Sequence, residues 1–203
     1  MDRRTLNLGI VALGAAAVVP RLAHAAEPDL DAALAPRIEG SPDAKLTMIE
    51  YSSLTCPHCA TFHTEVLPKI REVYIDTGKL RLEMRDFPLD QYALRAAAMA
   101  RCAPENRYFP LMDMLFKQQS KWSRATDPIA AIKQIGRLAG ISGETADACM
   151  SSEPLLDGIL KLRLGGQQDH DVGSTPTFVV GKEKIVGAQP FETFAKAIDD
   201  QLG

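Results

Sequence analysis

No cysteine precedes position 56, which leaves no thiol near the start of the chain for a lipid anchor. Nor is there a block or stripe of lysine and arginine. Charges of both signs are interspersed and the formal net charge is −3, which argues against nucleic acid as a partner. Beyond the N-terminal segment no run is apolar and long enough to cross a bilayer. The four cysteines and four histidines supply no second C-x-x-C or histidine pair that completes four ligands at the usual spacing. A four-ligand zinc site is therefore incomplete, and no metal is expected. The length suits one domain with room for an insertion.

Residues 1–25 read as a cleaved export signal. Arg3 and Arg4 give a basic start, residues 8–19 are apolar and small, and Ala23-His24-Ala25 is an A-x-A cleavage pattern. Arg3-Arg4-Thr5-Leu6 fits a twin-arginine signal in part, so twin-arginine and Sec routes both stay open. Cleavage takes away Arg3, Arg4, Arg21 and Asp2, leaving the mature chain more acidic. Export places it where disulfides persist.

The most informative stretch is Cys56-Pro57-His58-Cys59. A strand-forming run, Leu46 to Tyr51, precedes it, and a helix-length run over residues 60–75 follows. Thr55 is a candidate N-cap, and Pro57 suits the first helical turn. Cys56 then sits at a helix N-terminus, where unpaired N–H groups and the helix dipole favour a thiolate. A protonated His58 would act in the same direction. Cys59, a turn further in, suits a resolving role. Such a C-x-x-C after a strand reads as a redox centre. The alternative is half of a zinc site.

Glu50 stands six residues before Cys56, and two readings are open. It serves proton transfer beside the thiols, or strand alternation turns it to solvent or a salt bridge. His63, four residues after Cys59, is expected on the helix surface. Pro68 should kink or split that helix, and Gly78 ends it. Leu80, Leu82 and Met84 then alternate with Arg81, Glu83 and Arg85 as a strand, completing a βαβ unit with parallel strands.

Residues 91–171 are helical in pattern throughout and read as an insertion, with Pro110, the Asp127-Pro128 cap, Ser142 and Ser152 as helix boundaries. Met99, Tyr108, Phe109, Met112, Met114, Phe116 and Trp122 read mainly as core. Cys102 and Cys149 fall here. With Cys56 and Cys59 so close together, they form the natural second pair, expected as a structural disulfide worth on the order of 2–4 kcal/mol. Two buried free thiols are the alternative. Thr177 to Val186 reads as a hairpin turning at Gly181-Lys182, and a last helix follows Gln189-Pro190. The organisation is therefore 1–25 signal, 26–45 lead-in with irregular or short-strand structure, 46–90 and 172–203 one α/β domain, and 91–171 its helical insertion.

The order βαβ, insertion, ββα is that of a thioredoxin-like fold. Together with Cys56-Pro57-His58-Cys59 and Gly173-Ser174-Thr175-Pro176-Thr177-Phe178 it resembles the DsbA family of thiol-disulfide oxidoreductases. The second cysteine pair resembles α-proteobacterial-type members. The resemblance implies that Pro176 is cis and faces the cysteine pair. Thr175 and Pro176 would then bind an extended substrate as an added strand. It also implies that Glu50 is the family's buried acid. Thr175 departs from the best-known members, which carry Val there, and Thr also occurs at this position in isomerase-like and reductase-like relatives.

The activity implied is donation of the Cys56–Cys59 disulfide to unfolded or reduced secreted polypeptides in the periplasm. No cofactor beyond that disulfide is implied. Reoxidation would fall to a membrane quinone-linked partner of the DsbB type, and a monomer is expected. Two alternatives stand beside it: an isomerase or reductase kept reduced by a partner, and a non-catalytic peptide-binding or zinc-binding module. Against an isomerase, about twenty residues separate the cleavage site from the first confident strand, too few for an N-terminal dimerisation domain.

Overall fold

Leu80, Leu82, Met84 and Asp86 are buried, and the residues between them are part-exposed. This two-residue period builds strand β3 (Leu80–Asp86). The computed structural model describes residues 27–203; the expected export segment lies outside them. Among the described residues, β1 (Arg37–Glu39), β2 (Leu46–Ser52), β3, β4 (Thr177–Val180) and β5 (Glu183–Val186) form a sheet in the order β1-β3-β2-β4-β5. The central strand β2 runs parallel to β3 and antiparallel to β4. β1 adds an antiparallel edge, with Ile38 opposite Glu83.

The lead-in holds the short strand that is one of its two expected forms, β1, and before it a short helix not expected there, α1 (Leu30–Leu34), capped by the Asp29 carboxylate. The buried Arg101 anchors it by pairing with Asp86 and donating to the Ala33 carbonyl at 2.8 Å.

From Pro57 to Ile75 the chain stays helical. α2 (Pro57–Thr61) and α3 (Leu67–Ile70) are each followed by a π turn, Phe62–Val66 and Arg71–Ile75. The irregularity expected at Pro68 takes this form. Proline has no N–H to give, and a wide turn, in which the Leu67 N–H reaches back to Phe62, re-registers the ladder around it. The segment then ends at Gly78 with φ +73°.

The helices α4 (Gln91–Arg101), α5 (Glu105–Lys117), α6 (Gln119–Trp122), α7 (Pro128–Leu138), α8 (Gly143–Ser151) and α9 (Glu153–His170) lie between β3 and β4; α10 (Phe191–Leu202) follows β5. The Asp127 and Ser142 side chains cap as expected, whereas Ser152 holds the N-cap position without a side-chain cap bond. α5 begins five residues before Pro110 rather than at it. The lost bond would have gone to Asn106, which is exposed, so water can take its place.

Among the described residues two large apolar cores result, with a small third cluster of Tyr51, Phe87 and Val172. Met48, Phe62, Leu67, Ile70, Phe178, Phe194 and Ile198 pack α10 and the 57–75 helix on one sheet face. The helical core includes Ala96 to Ala100, Leu111, Leu115, Trp122, Ile132 and Cys149, and it extends to Cys56 and Cys59. On the other sheet face α9 comes so close that a Cβ on Gly166 would lie 2.4 Å from the Tyr51 ring.

Candidate active site

The turn after β2 is short and internally bonded, with the Cys56 N–H donating to the Ser53 carbonyl at 3.1 Å. Cys56, not Thr55, is the N-cap, with extended φ and ψ of −80° and 118°, and Pro57 is the first helical residue. The usual cap is an oxygen that accepts from the next free N–H groups. Cys56 makes no side-chain cap bond of that kind, but the N–H groups of His58 and Cys59 lie near enough to its sulfur to favour the thiolate.

The Cys56 pKa is lowered to about 5. The largest cause is the hydrogen bond that the Cys59 thiol donates to the Cys56 sulfur; burial opposes it, and Thr175 and the two backbone N–H groups add to it. His58 contributes its backbone N–H from an exposed position; its imidazole is not among the causes. Cys59 goes the other way. It is fully buried, and burial together with the neighbouring Cys56 pushes its thiol well up. The pair thus holds one ready thiolate and one protected thiol, and neither is bonded to the other in this structure.

Thr175-Pro176 is a cis peptide bond opposite the pair. The Cys56 thiol donates to the Thr175 carbonyl at 3.3 Å. The Thr175 hydroxyl is buried with no partner of its own, which leaves it free to donate to the thiolate once that proton is gone.

Glu50 is completely buried on β2. The solvent-facing reading is therefore excluded, while the salt-bridge reading is compatible with its Oε1 lying 2.9 Å from His63 Nε2. His63 itself was expected at the surface but is buried, stacked at 3.9 Å on the Phe116 ring. The reason is register: Cys59, Phe62, His63 and Val66 share the inward face, and the polar partner on β2 makes a histidine tolerable there. Burial alone would lower the His63 pKa, but the charges of Glu50 and Asp113 outweigh it and raise it.

Cys102 and Cys149 are joined by a disulfide between α4 and α8, with Cα atoms 6.5 Å apart. Cys149 is buried in the helical core and Cys102 packs against it. Among the described residues no group of three His, Cys, Asp or Glu could hold a metal ion.

Two positions carry the site without having been singled out. The Gln119 amide, buried on α6, donates to the Leu54 and Cys56 carbonyls at 2.9 Å each and fixes the redox turn to the helical region. The Ser52 hydroxyl is buried beside the Cys59 thiol. No pattern marks Gln119, because its role depends on a contact 63 residues away.

A profile of the thioredoxin family matches residues 33–200. The crystal structure of alpha-DsbA1 from Wolbachia pipientis is 30% identical with a TM-score of 0.77, covering 83% of this chain and 91% of that one. The chain belongs to the DsbA family. BdbD of Bacillus subtilis, 19% identical with a TM-score of 0.74, shares the DsbA fold. A Rickettsia typhi protein named provisionally as a protein-disulfide oxidoreductase is 32% identical over 165 residues, 80% of this chain and 60% of its own length. A Rickettsia bellii relative with the same provisional name is 34% identical over 122 residues, 60% of this chain and 47% of its own. The chain thus spans about half to three fifths of these rickettsial relatives. In DsbA terms the Cys56 pair, cis-Pro176 and buried Glu50 occupy one end of the central strand.

Proposed function

We propose that this DsbA-family chain is an exported dithiol oxidase that donates its Cys56–Cys59 disulfide to newly translocated polypeptides. A substrate thiolate attacks the Cys56 sulfur, the Cys56–Cys59 bond breaks, and Cys59 leaves and takes up a proton. A second substrate thiolate then attacks the substrate sulfur of the mixed disulfide, its bond to Cys56 breaks and Cys56 leaves as a thiolate, so that the substrate is oxidised and the pair reduced. The observation that carries this reading is the setting of Cys56, at the start of α2 against Cys59 and the cis Thr175-Pro176 bond, which lowers its pKa to about 5. It stabilises the reduced protein and makes Cys56 a good leaving group, which drives the disulfide outward. Thr175 and Pro176 would receive the substrate backbone. Turnover requires a reoxidant, for which a membrane quinone-linked partner of the DsbB type is the family's solution. The basic, apolar and A-x-A pattern of residues 1–25 supports a periplasmic location, and among the described residues no helix is long and apolar enough to cross a membrane.

The test is a pair of substitutions. Cys56→Ser should abolish oxidation of a reduced, unfolded substrate, and Cys59→Ser should accumulate mixed disulfides that vanish on adding dithiothreitol. Retained oxidase activity in Cys56→Ser would contradict the mechanism.

A further inference from the structure

When the Cys56–Cys59 bond opens, Cys59 departs as a thiolate and must gain a proton; when the bond closes, its thiol must lose one. Yet the Cys59 side chain is wholly buried, so water cannot exchange that proton directly. The sheet and the helix run past each other in matching steps here. Ser52 lies beside Cys59; two residues back on β2, Glu50 meets His63, one turn further along the helix. Glu50 Oε2 is buried and unpartnered, free to accept a proton. Glu50 itself is sealed from solvent.

His63 spans the remaining distance. Its Nε2 is 2.9 Å from Glu50 and its Nδ1 is 3.8 Å from Asp113 Oδ1. Asp113, on α5, has a side chain 40% exposed. Phe116 stacks on the imidazole and Phe62 meets it edge-on, so the ring is held with its two nitrogens toward the two carboxylates. Arg71 grips Asp113 with two bonds, at 2.9 and 3.1 Å, and reaches Glu39 on β1 at 3.0 Å. The Tyr108 hydroxyl, buried without a partner, also senses the Glu50 charge.

We propose that His63 is a proton-relay residue that connects the buried Glu50 carboxylate, and through it Cys59, to solvent at Asp113. In disulfide donation a proton enters at Asp113, reaches His63 Nδ1, and leaves from Nε2 to Glu50 without ring rotation. Glu50 delivers it to the departing Cys59 thiolate. Reoxidation runs the path in reverse. A turn of the part-exposed Asp113 side chain, or one water, closes the 3.8 Å gap. His63 acts through Glu50 and never touches the substrate. The inference rests on the redox reading of Cys56 and Cys59.

The experiment follows single-turnover reduction of the oxidised protein by excess dithiothreitol, from about pH 5 to about pH 8, in light and heavy water. His63→Gln can still hydrogen-bond Glu50 but cannot pass a proton on. It should slow reduction on the order of 10²-fold and remove the imidazole titration from the rate profile. Its Cys56 thiolate titration and melting transition should stay close to wild type. Asp113→Asn, at the exposed end, should slow the reaction by a smaller factor. A wild-type rate and pH profile in His63→Gln would overturn the relay. So would a slow rate accompanied by an equal displacement of the Cys56 titration, which would mark a structural role. If the wild-type protein itself failed to exchange with dithiothreitol, the redox reading would fall instead.

Discussion

At Cys56 the Cys59 thiol does most of the work that the sequence assigns partly to the His58 side chain. Thr175 and the His58 and Cys59 N–H groups at the start of α2 add smaller contributions. Thiolate absorbance of Cys56 should therefore titrate near pH 5, and a midpoint above 8 would refute this picture. Thr175→Val removes a hydroxyl donor and should raise that midpoint by up to about one pH unit. An unchanged midpoint would show that the hydroxyl does not reach the sulfur. The C-P-H-C motif and its position after a strand are legible from spacing alone, because helix N-termini and C-x-x-C chemistry are local properties. The environment of His63 is not. Its neighbours in the chain suggest a surface turn; its partners, Glu50 and Asp113, come from β2 and α5.

Strand β3 announces itself through period-two alternation, β2 through a run of strand formers and the hairpin through its turn at Gly181-Lys182, and α7 and α8 through Asp127 and Ser142. Elements whose limits depend on tertiary support are harder to read. α5 passes through Pro110, and the 57–75 helix absorbs Pro68 in π turns because both are held by packing on their inner faces. Where elements touch most closely, substitutions should be felt. Gly166→Ala places a Cβ against the Tyr51 ring and should cost about 1–3 kcal/mol in urea unfolding; a neutral effect would mean that α9 can shift away. Replacing Cys102 and Cys149 together by Ala opens a 47-residue connection and should lower stability by about 2–4 kcal/mol while oxidase activity persists. Complete loss of activity would place that disulfide in the reaction.

For the molecule as a whole, the titrations of Cys56 and His63 tie stability to redox state and pH. The Cys56 pKa is depressed from 9.0 to about 5 on folding. Its contribution to the reduced protein is fully present above the unfolded value and lost as pH falls through about 5. At pH 7 it amounts to at most about 3 kcal/mol, less whatever solvent screens. His63 has the opposite sign: its pKa is raised, so its contribution is present below the ordinary imidazole value and lost as pH rises through the elevated one. The reduced protein should thus melt higher than the oxidised protein at pH 7, with the difference shrinking toward pH 5.

The most direct test of the central claim is the reduction potential of Cys56–Cys59, measured by equilibrating the protein with glutathione buffers. A potential well above that of the glutathione pool, with the reduced form the more stable, is the predicted result and marks a donor of disulfides. A potential near the thioredoxin value of about −270 mV would contradict the account and make the same site a reductase or isomerase.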